Sequence, residues 1–216
     1  MKVIWPAIYR DCAGSEAITF NSNGSQLQTI IRGVEFQGES FDSLTAQQSM
    51  DCFRLTANGD LYACQLDIVI PSRLLAPEGL RIVDLLVEIQ LGQLNSTEEV
   101  KQLTTGLSVQ QPEFQLKLCS DAGYFETVFL DLIKQLPADF KFENCLTCGL
   151  SDYHPFGSSF FGGMACFRHY KQAYRTVKDK ADLFDLWWGD VNPVATQETY
   201  YCSEYENRPM PHGYRG

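Results

Sequence analysis

The chain has 216 residues, 44% of them apolar and 20% charged, so it can bury a sizeable core without a staple and is not wholly disordered. Its 17 Lys and Arg against 27 Asp and Glu give a net charge of −10, which argues against a general binder of nucleic acid or anionic membrane. If the acidity serves a partner rather than solubility, that partner is basic.

No uninterrupted apolar stretch approaches the roughly 18 residues of a membrane helix, and residues 1–9 hold no signal-peptide core. A cytoplasmic address is expected, where eight cysteines are thiols or metal ligands rather than a disulfide framework. In chain order, Ile18-Thr19-Phe20 and Leu27 to Ile31 flank Asn23-Gly24, and Phe53-Arg54-Leu55 and Leu61-Tyr62-Ala63 flank Asn58-Gly59, which predicts two hairpins. Leu66, Ile68 and Ile70, then Leu85, Val87, Ile89 and Leu91, then Phe114, Leu116 and Leu118 alternate as strands do. Ser96 with Glu99 could form a capping box, and residues 96–105 read as a short helix or loop. After Ser120-Asp121 as N-cap, Phe125, Val128, Phe129, Leu132, Ile133 and Leu136 recur at helical spacing until Pro137. Phe167, Tyr170, Tyr174 and Val177 mark a second helix, and residues 183–188 a third ending at Gly189.

Cys145-Leu-Thr-Cys148-Gly149 has the spacing of a metal knuckle, in which the chain reverses so that two thiolates face one ion and the glycine lets backbone amides approach sulfur. After seventeen intervening residues, among them Pro155, Gly157, Gly162 and Gly163, stands Cys166. A tetrahedral site needs a fourth ligand, and the candidates are Cys202, which we prefer, or His154 or His169. Thiolate ligation admits zinc or iron, and zinc is the expected ion. A redox pair would need a helix directly after it, which Asp152, Pro155 and Gly157 forbid. The plainer alternative is buried free thiols. Cys12, Cys52, Cys64 and Cys119 are assigned to packing.

The run from Cys145 to Gly157 (CLTCGLSDYHPFG), followed by Phe160 to Arg168 (FFGGMACFR), resembles a family of uncharacterised bacterial proteins known only as a domain of unknown function. The tail Glu198-Thr-Tyr-Tyr-Cys202 with Gly213-Tyr-Arg-Gly216 is similar to the same family's C-terminus. The resemblance supports Cys202 as the fourth ligand. It supplies no activity, and a toxin-neutralising immunity role follows only by association of size, acidity and address.

Three histidines are too few for an imidazole-rich catalytic zinc, and no nucleophile elbow, phosphate-binding loop or dinucleotide fingerprint is present. Arg168, Lys171, Arg175, Lys178 and Lys180 could face RNA, but Tyr170 and Tyr174 fall on the stripe that should be buried, which favours a solvated face. The expected fold class is α+β: an N-terminal antiparallel β domain over residues 1–140 with a packed helix near 122–136, and a zinc-stapled, helical and irregular module over 141–216 whose helices carry Trp187 and Trp188 into the interface. The expected function is a non-enzymatic binding protein with structural zinc, a bacterial immunity protein that covers a basic toxin domain. The alternative is an enzyme or nucleic-acid-processing accessory with a site around Asp152, His154 and Arg168.

Overall fold

Period-two patterning draws most of the chain into antiparallel strands. The structure, a computed structural model, describes residues 2–48, 52–94, 103–121, 123–157 and 159–208. Strands β1 (Val3–Asp11) and β2 (Gly14–Ser22) form a hairpin, extended as a meander by β3 (Leu27–Ile31), β4 (Val34–Gly38) and β5 (Thr45–Ala46). Two strands of 13 residues, β6 (Cys64–Ala76) and β7 (Gly79–Leu91), pair along their full length, and β8 (Leu103–Gln111) and β9 (Phe114–Asp121) follow. The order is β5-β4-β3-β2-β1-β6-β7-β8-β9, and β10 (Lys141–Phe142) also pairs with β6, making a 10-stranded sheet.

Turn chemistry sets the register at β2–β3. Asn23 Oδ1 accepts the N–H groups of Ser25 and Gln26 at 3.0 and 2.8 Å, and Gly24 takes φ +98°. A Cβ at Gly24 would stand 2.6 Å from the ring of Tyr200, so glycine is required there for close approach as well as for its dihedral. The β3–β4 turn places a non-glycine, Arg32, at φ 48°. Its position is held by a two-pronged pair with Asp11 at 2.7 and 2.6 Å and by Glu16, which accepts its N–H at 2.8 Å.

The inward face of the sheet carries Trp5, Tyr9, Phe20, Phe36, Leu66, Ile68, Val87 and Ile89. It is covered by helix α1 (Phe125–Lys134), through Phe125, Val128, Phe129 and Leu132, and by Phe142, Leu146, Tyr153, Phe160, Phe161 and Met164 from the segment that follows. Phe161 joins these parts: its ring stacks on Phe41 at 4.6 Å and meets Phe125 edge-on at 4.9 Å and Trp5 at 6.3 Å.

The α+β expectation, with a helical and irregular C-terminal module, is overturned. The protein is mainly antiparallel β, with α1, α2 (Lys171–Tyr174) and α3 (Lys180–Trp188) all short. The cysteine-bearing segment is built on a second, three-stranded sheet of β11 (Ser151–Tyr153), β12 (Met164–Cys166) and β13 (Val194–Thr196), and among the described residues no group of three or more His, Cys, Asp and Glu is arranged to hold a metal ion. Strands of three residues are too short to show alternation in sequence.

Several local expectations change as well. Ser120 and Asp121 belong to β9, and α1 begins after Tyr124, its Phe125 N–H donating to Phe160 O at 3.2 Å. The Asn58-Gly59 turn forms, with Gly59 at φ +87°, but its flanks meet only at the single bridge Leu55 to Leu61. The Ser96–Glu99 capping box lies outside the described residues. The second helix is cut to a 3-10 turn at Arg168–Tyr170 and the one-turn α2 because Tyr170 leaves helical dihedrals.

Replacing Phe161 by Ala should cost about 3–5 kcal/mol, because it opens a cavity where helix, sheet and C-terminal segment meet. Urea unfolding of wild type and F161A checks this.

Candidate functional site

The small sheet has two faces, and its register sorts the chemistry between them. Ser151 lies opposite Cys166 and Tyr153 opposite Met164, while Asp152 lies opposite Ala165. Alternation therefore turns Ser151, Tyr153 and Cys166 toward the main core and Asp152 and Ala165 the other way.

On the inward face the turn after β10 is built by Asn144, whose Oδ1 accepts from Thr147 N at 3.2 Å, and by Thr147 Oγ1, which donates to Phe142 O at 2.7 Å. This places Cys145 and Cys148. The tail straps over them: Cys145 N–H donates to Tyr200 O at 2.7 Å, and Cys148 forms a bridge with Asn207. Cys145 lies within electrostatic reach of Cys148, Cys166 and Cys202, and Cys148 and Cys166 lie within reach of Cys202 and of each other. Burial pushes the Cys145, Cys148 and Cys166 thiols up, so they remain protonated as free thiols at neutral pH.

The surroundings of these sulfurs donate hydrogen bonds. Cys148 Sγ accepts Leu150 N–H at 3.4 Å, with the Glu206 backbone nearby, and the Arg168 backbone lies beside Cys166. The Arg168 guanidinium lies near Cys202, and the charge of Arg208 reaches Cys148. The four sulfurs are thus gathered but not closed around a point. Cys145 Sγ is engaged with Thr196 Oγ1 at 3.4 Å instead.

Beside the cluster lies Glu198, fully buried. Its carboxylate accepts Tyr153 OH at 2.9 Å and Gly162 N–H at 2.7 Å, both of which favour the charged form, yet burial wins and pushes it up to about 8. Its backbone oxygen accepts Leu146 N–H at 3.0 Å.

The outward face is covered by a satellite core of Ala165, Phe167, Tyr174, Val177 and Leu183, with Leu186 and Trp187 against it. Asp152 is buried there, accepting Tyr174 OH at 2.8 Å. His154 packs against Trp187 at 4.1 Å and Phe156 at 5.1 Å. Phe156 in turn meets Phe184 at 4.9 Å and Trp188 at 5.5 Å. Phe156 is 56% and Trp188 74% exposed, so this aromatic cluster reaches the surface. Trp188 is therefore not carried into an interface with the main sheet, as expected from sequence, and only Trp187 is half-buried.

A model described as a family of unknown function (DUF6304) matches residues 3–151. The chain belongs to that family. No curated protein and no solved structure matches it. The DUF6304 match runs from β1 through Cys145 and Cys148 and stops at Ser151, so most of the residues on which the sequence resemblance rests, with Cys166 and Cys202, lie beyond it.

The structure gathers Cys145, Cys148, Cys166 and Cys202 but separates the other predicted trio. Asp152 and His154 face the satellite core, and Arg168 sits with Cys202. His169 is exposed. Of the cysteines assigned to packing only Cys64 is buried, its thiol pushed up to about 12 by burial, while Cys12, Cys52 and Cys119 are exposed. The basic face of α2 is neutralised by the tail: Lys171 pairs with Glu204 and Glu206 at 3.2 and 3.0 Å, and Arg175 with Glu206 at 2.7 Å. Sequence reasoning missed Glu198 and the Phe156–Phe184–Trp188 cluster. The signal for the second was present, since α3 spreads its apolar residues around the helix and some of them must face outward.

The folded-state value of Glu198 lies above its unfolded one, so its contribution to stability is complete below about 4.5 and is lost as pH rises through about 8. The thermal midpoint should fall across that window, and E198Q should flatten the slope in a melting series at stepped pH.

Proposed function

We propose that the protein is a non-enzymatic binding protein whose recognition surface is the aromatic cluster on α3 and the β11–β12 loop, and whose partner is a basic protein domain. The observation that carries this reading is the exposure of Phe156 and Trp188 at 56% and 74% in mutual contact. Exposed aromatic rings in a contiguous patch supply most of the energy of protein interfaces. Lys180 Nζ already lies 5.7 Å from the Phe184 ring, the kind of contact an incoming cation would repeat. Asp185 and Asp190 flank the patch without an ion-pair partner among the described residues, and the chain's charge of −10 would steer a basic partner toward it. The finer reading, an immunity protein that occludes a basic toxin domain, rests on this electrostatic complementarity.

Zinc at Cys145, Cys148, Cys166 and Cys202 is part of the proposal as a structural brace. The donor chemistry fits: four thiols within electrostatic reach, N–H groups aimed at Cys148 and Cys166, and two arginines beside them to balance thiolate charge. Loading would displace the thiol protons and require Cys145 to leave Thr196, and it would fix the small sheet on whose other face the aromatic patch is mounted.

Elemental mass spectrometry of freshly purified protein should find about one zinc per chain. C148S and C166S should lose the metal and melt lower; unchanged metal content and stability would refute the brace. Binding to a co-expressed basic protein domain, measured by calorimetry, should weaken about thirtyfold in W188A, with the melting midpoint unchanged. Undiminished binding by an F156A/W188A double variant would place the partner elsewhere.

A further inference from the structure

A second site is carried by different residues. β1 pairs with β6 only from Ala7 opposite Ile68 to Arg10 opposite Gln65. Were the ladder to continue, Pro6 would stand against Val69 and Ile4 against Pro71. Proline has no N–H to give to a ladder, and one lies on each strand in this stretch, so the strands part here. Beyond the gap β6 takes a new partner, Leu74 and Leu75 pairing with Phe142 and Lys141 of β10.

The opening is a cleft of about 680 Å³, within the range of small-molecule sites. Its sheet side presents Val3, Trp5, Ile70 and Ile82, and its other wall is the tail around Tyr200 and Tyr201. Trp5 and Ile70 would have faced each other had the ladder closed. The tail wall is fixed in place: Tyr200 lies on Gly24, and Tyr201 lies 3.6 Å from the Arg73 guanidinium, which is paired with Glu143 at 3.1 Å.

Charge distinguishes the ends of this apolar cleft. Of its lining charges, Arg73 is neutralised by Glu143 and Glu204 by Lys171. Arg168 has no carboxylate within ion-pair distance among the described residues; its Nε donates to His169 Nε2 at 3.4 Å, and Cys202 lies near its guanidinium. A guanidinium carries five N–H donors in a planar fork, so with Nε turned to His169 its other N–H groups can donate to a carboxylate.

We propose that the cleft binds an amphipathic monocarboxylate, a free fatty acid-like anion, with its chain between Trp5, Ile70 and Ile82 and its carboxylate on Arg168. A lipid headgroup offers similar charge, but the confined cleft favours a free ligand.

The test is calorimetry on the purified 216-residue chain with octanoate, decanoate and dodecanoate below their micellar concentrations, alongside dodecyltrimethylammonium and anionic phospholipid vesicles. The expected result is saturable one-to-one binding that tightens roughly fourfold per added methylene, with the cationic amphipath at least about tenfold weaker. R168Q should abolish that charge preference while keeping the chain-length dependence. Because Arg168 also lies near Cys202, a second variant, I82E, alters the opposite wall of the cleft; it should weaken every carboxylate about tenfold or more. Absence of saturable binding, equal affinity for the cation, an unaffected I82E, or binding to vesicles in place of free carboxylate would each overturn the proposal.

Discussion

Residues 196–200 run between the two sheets, and their hydrogen bonds reach several distant parts of the chain. Thr196 pairs with Met164 in the small sheet; Gln197 N–H donates to Gly24 O at 2.7 Å while its side chain accepts Ser22 Oγ at 2.7 Å; Glu198 holds Tyr153, Gly162 and Leu146; and Tyr200 O accepts from Cys145. Buried polar groups must be satisfied, and this segment satisfies those of the β2–β3 turn, the cysteine turn and the β11–β12 loop together. The burial of Phe161, the gathering of the four thiols and the wall of the β1–β6 cleft all rest on its position.

How much of this could be read in the sequence follows from the range of the forces involved. β6 and β7 were legible because their 13 residues each alternate over a long stretch, and the Asn23-Gly24 turn because the dipeptide carries its own geometry. β1 was not, since Pro6 stands in its middle and argues locally against a strand; the structure tolerates it because β6 does not pair there. The four cysteines were visible by spacing, and their convergence depends on strands of three residues that no periodicity can reveal. Glu198 was invisible because every group that holds it is distant in sequence, and a glutamate in an acidic chain carries no mark of burial.

The two faces of the β11–β13 sheet divide the labour of the C-terminal segment. One face is turned inward and is occupied by thiols, hydroxyls and a carboxyl; the other supports a small satellite core and, beyond it, the exposed rings. A sheet only three strands wide gives little stiffness of its own, and its packing on the main core through Tyr153 and Met164 supplies what the pairing does not. Rings displayed on a stiffened base lose less freedom on meeting a partner, which favours affinity.

The contact of Ser22 with Gln197 spans 175 residues of chain, and that of Gly24 with Tyr200 is as long. Contacts of such separation form against a large loop-closure cost that must be met before they return any energy, which disfavours them as early events. The meander and the β6–β7 hairpin, made of neighbours in sequence, therefore form the early structure, and the tail docks onto a sheet that already exists. Changes in residues 196–200 are then felt chiefly in how fast the native state opens rather than in how fast it forms, so this strap governs the protein's lifetime once folded.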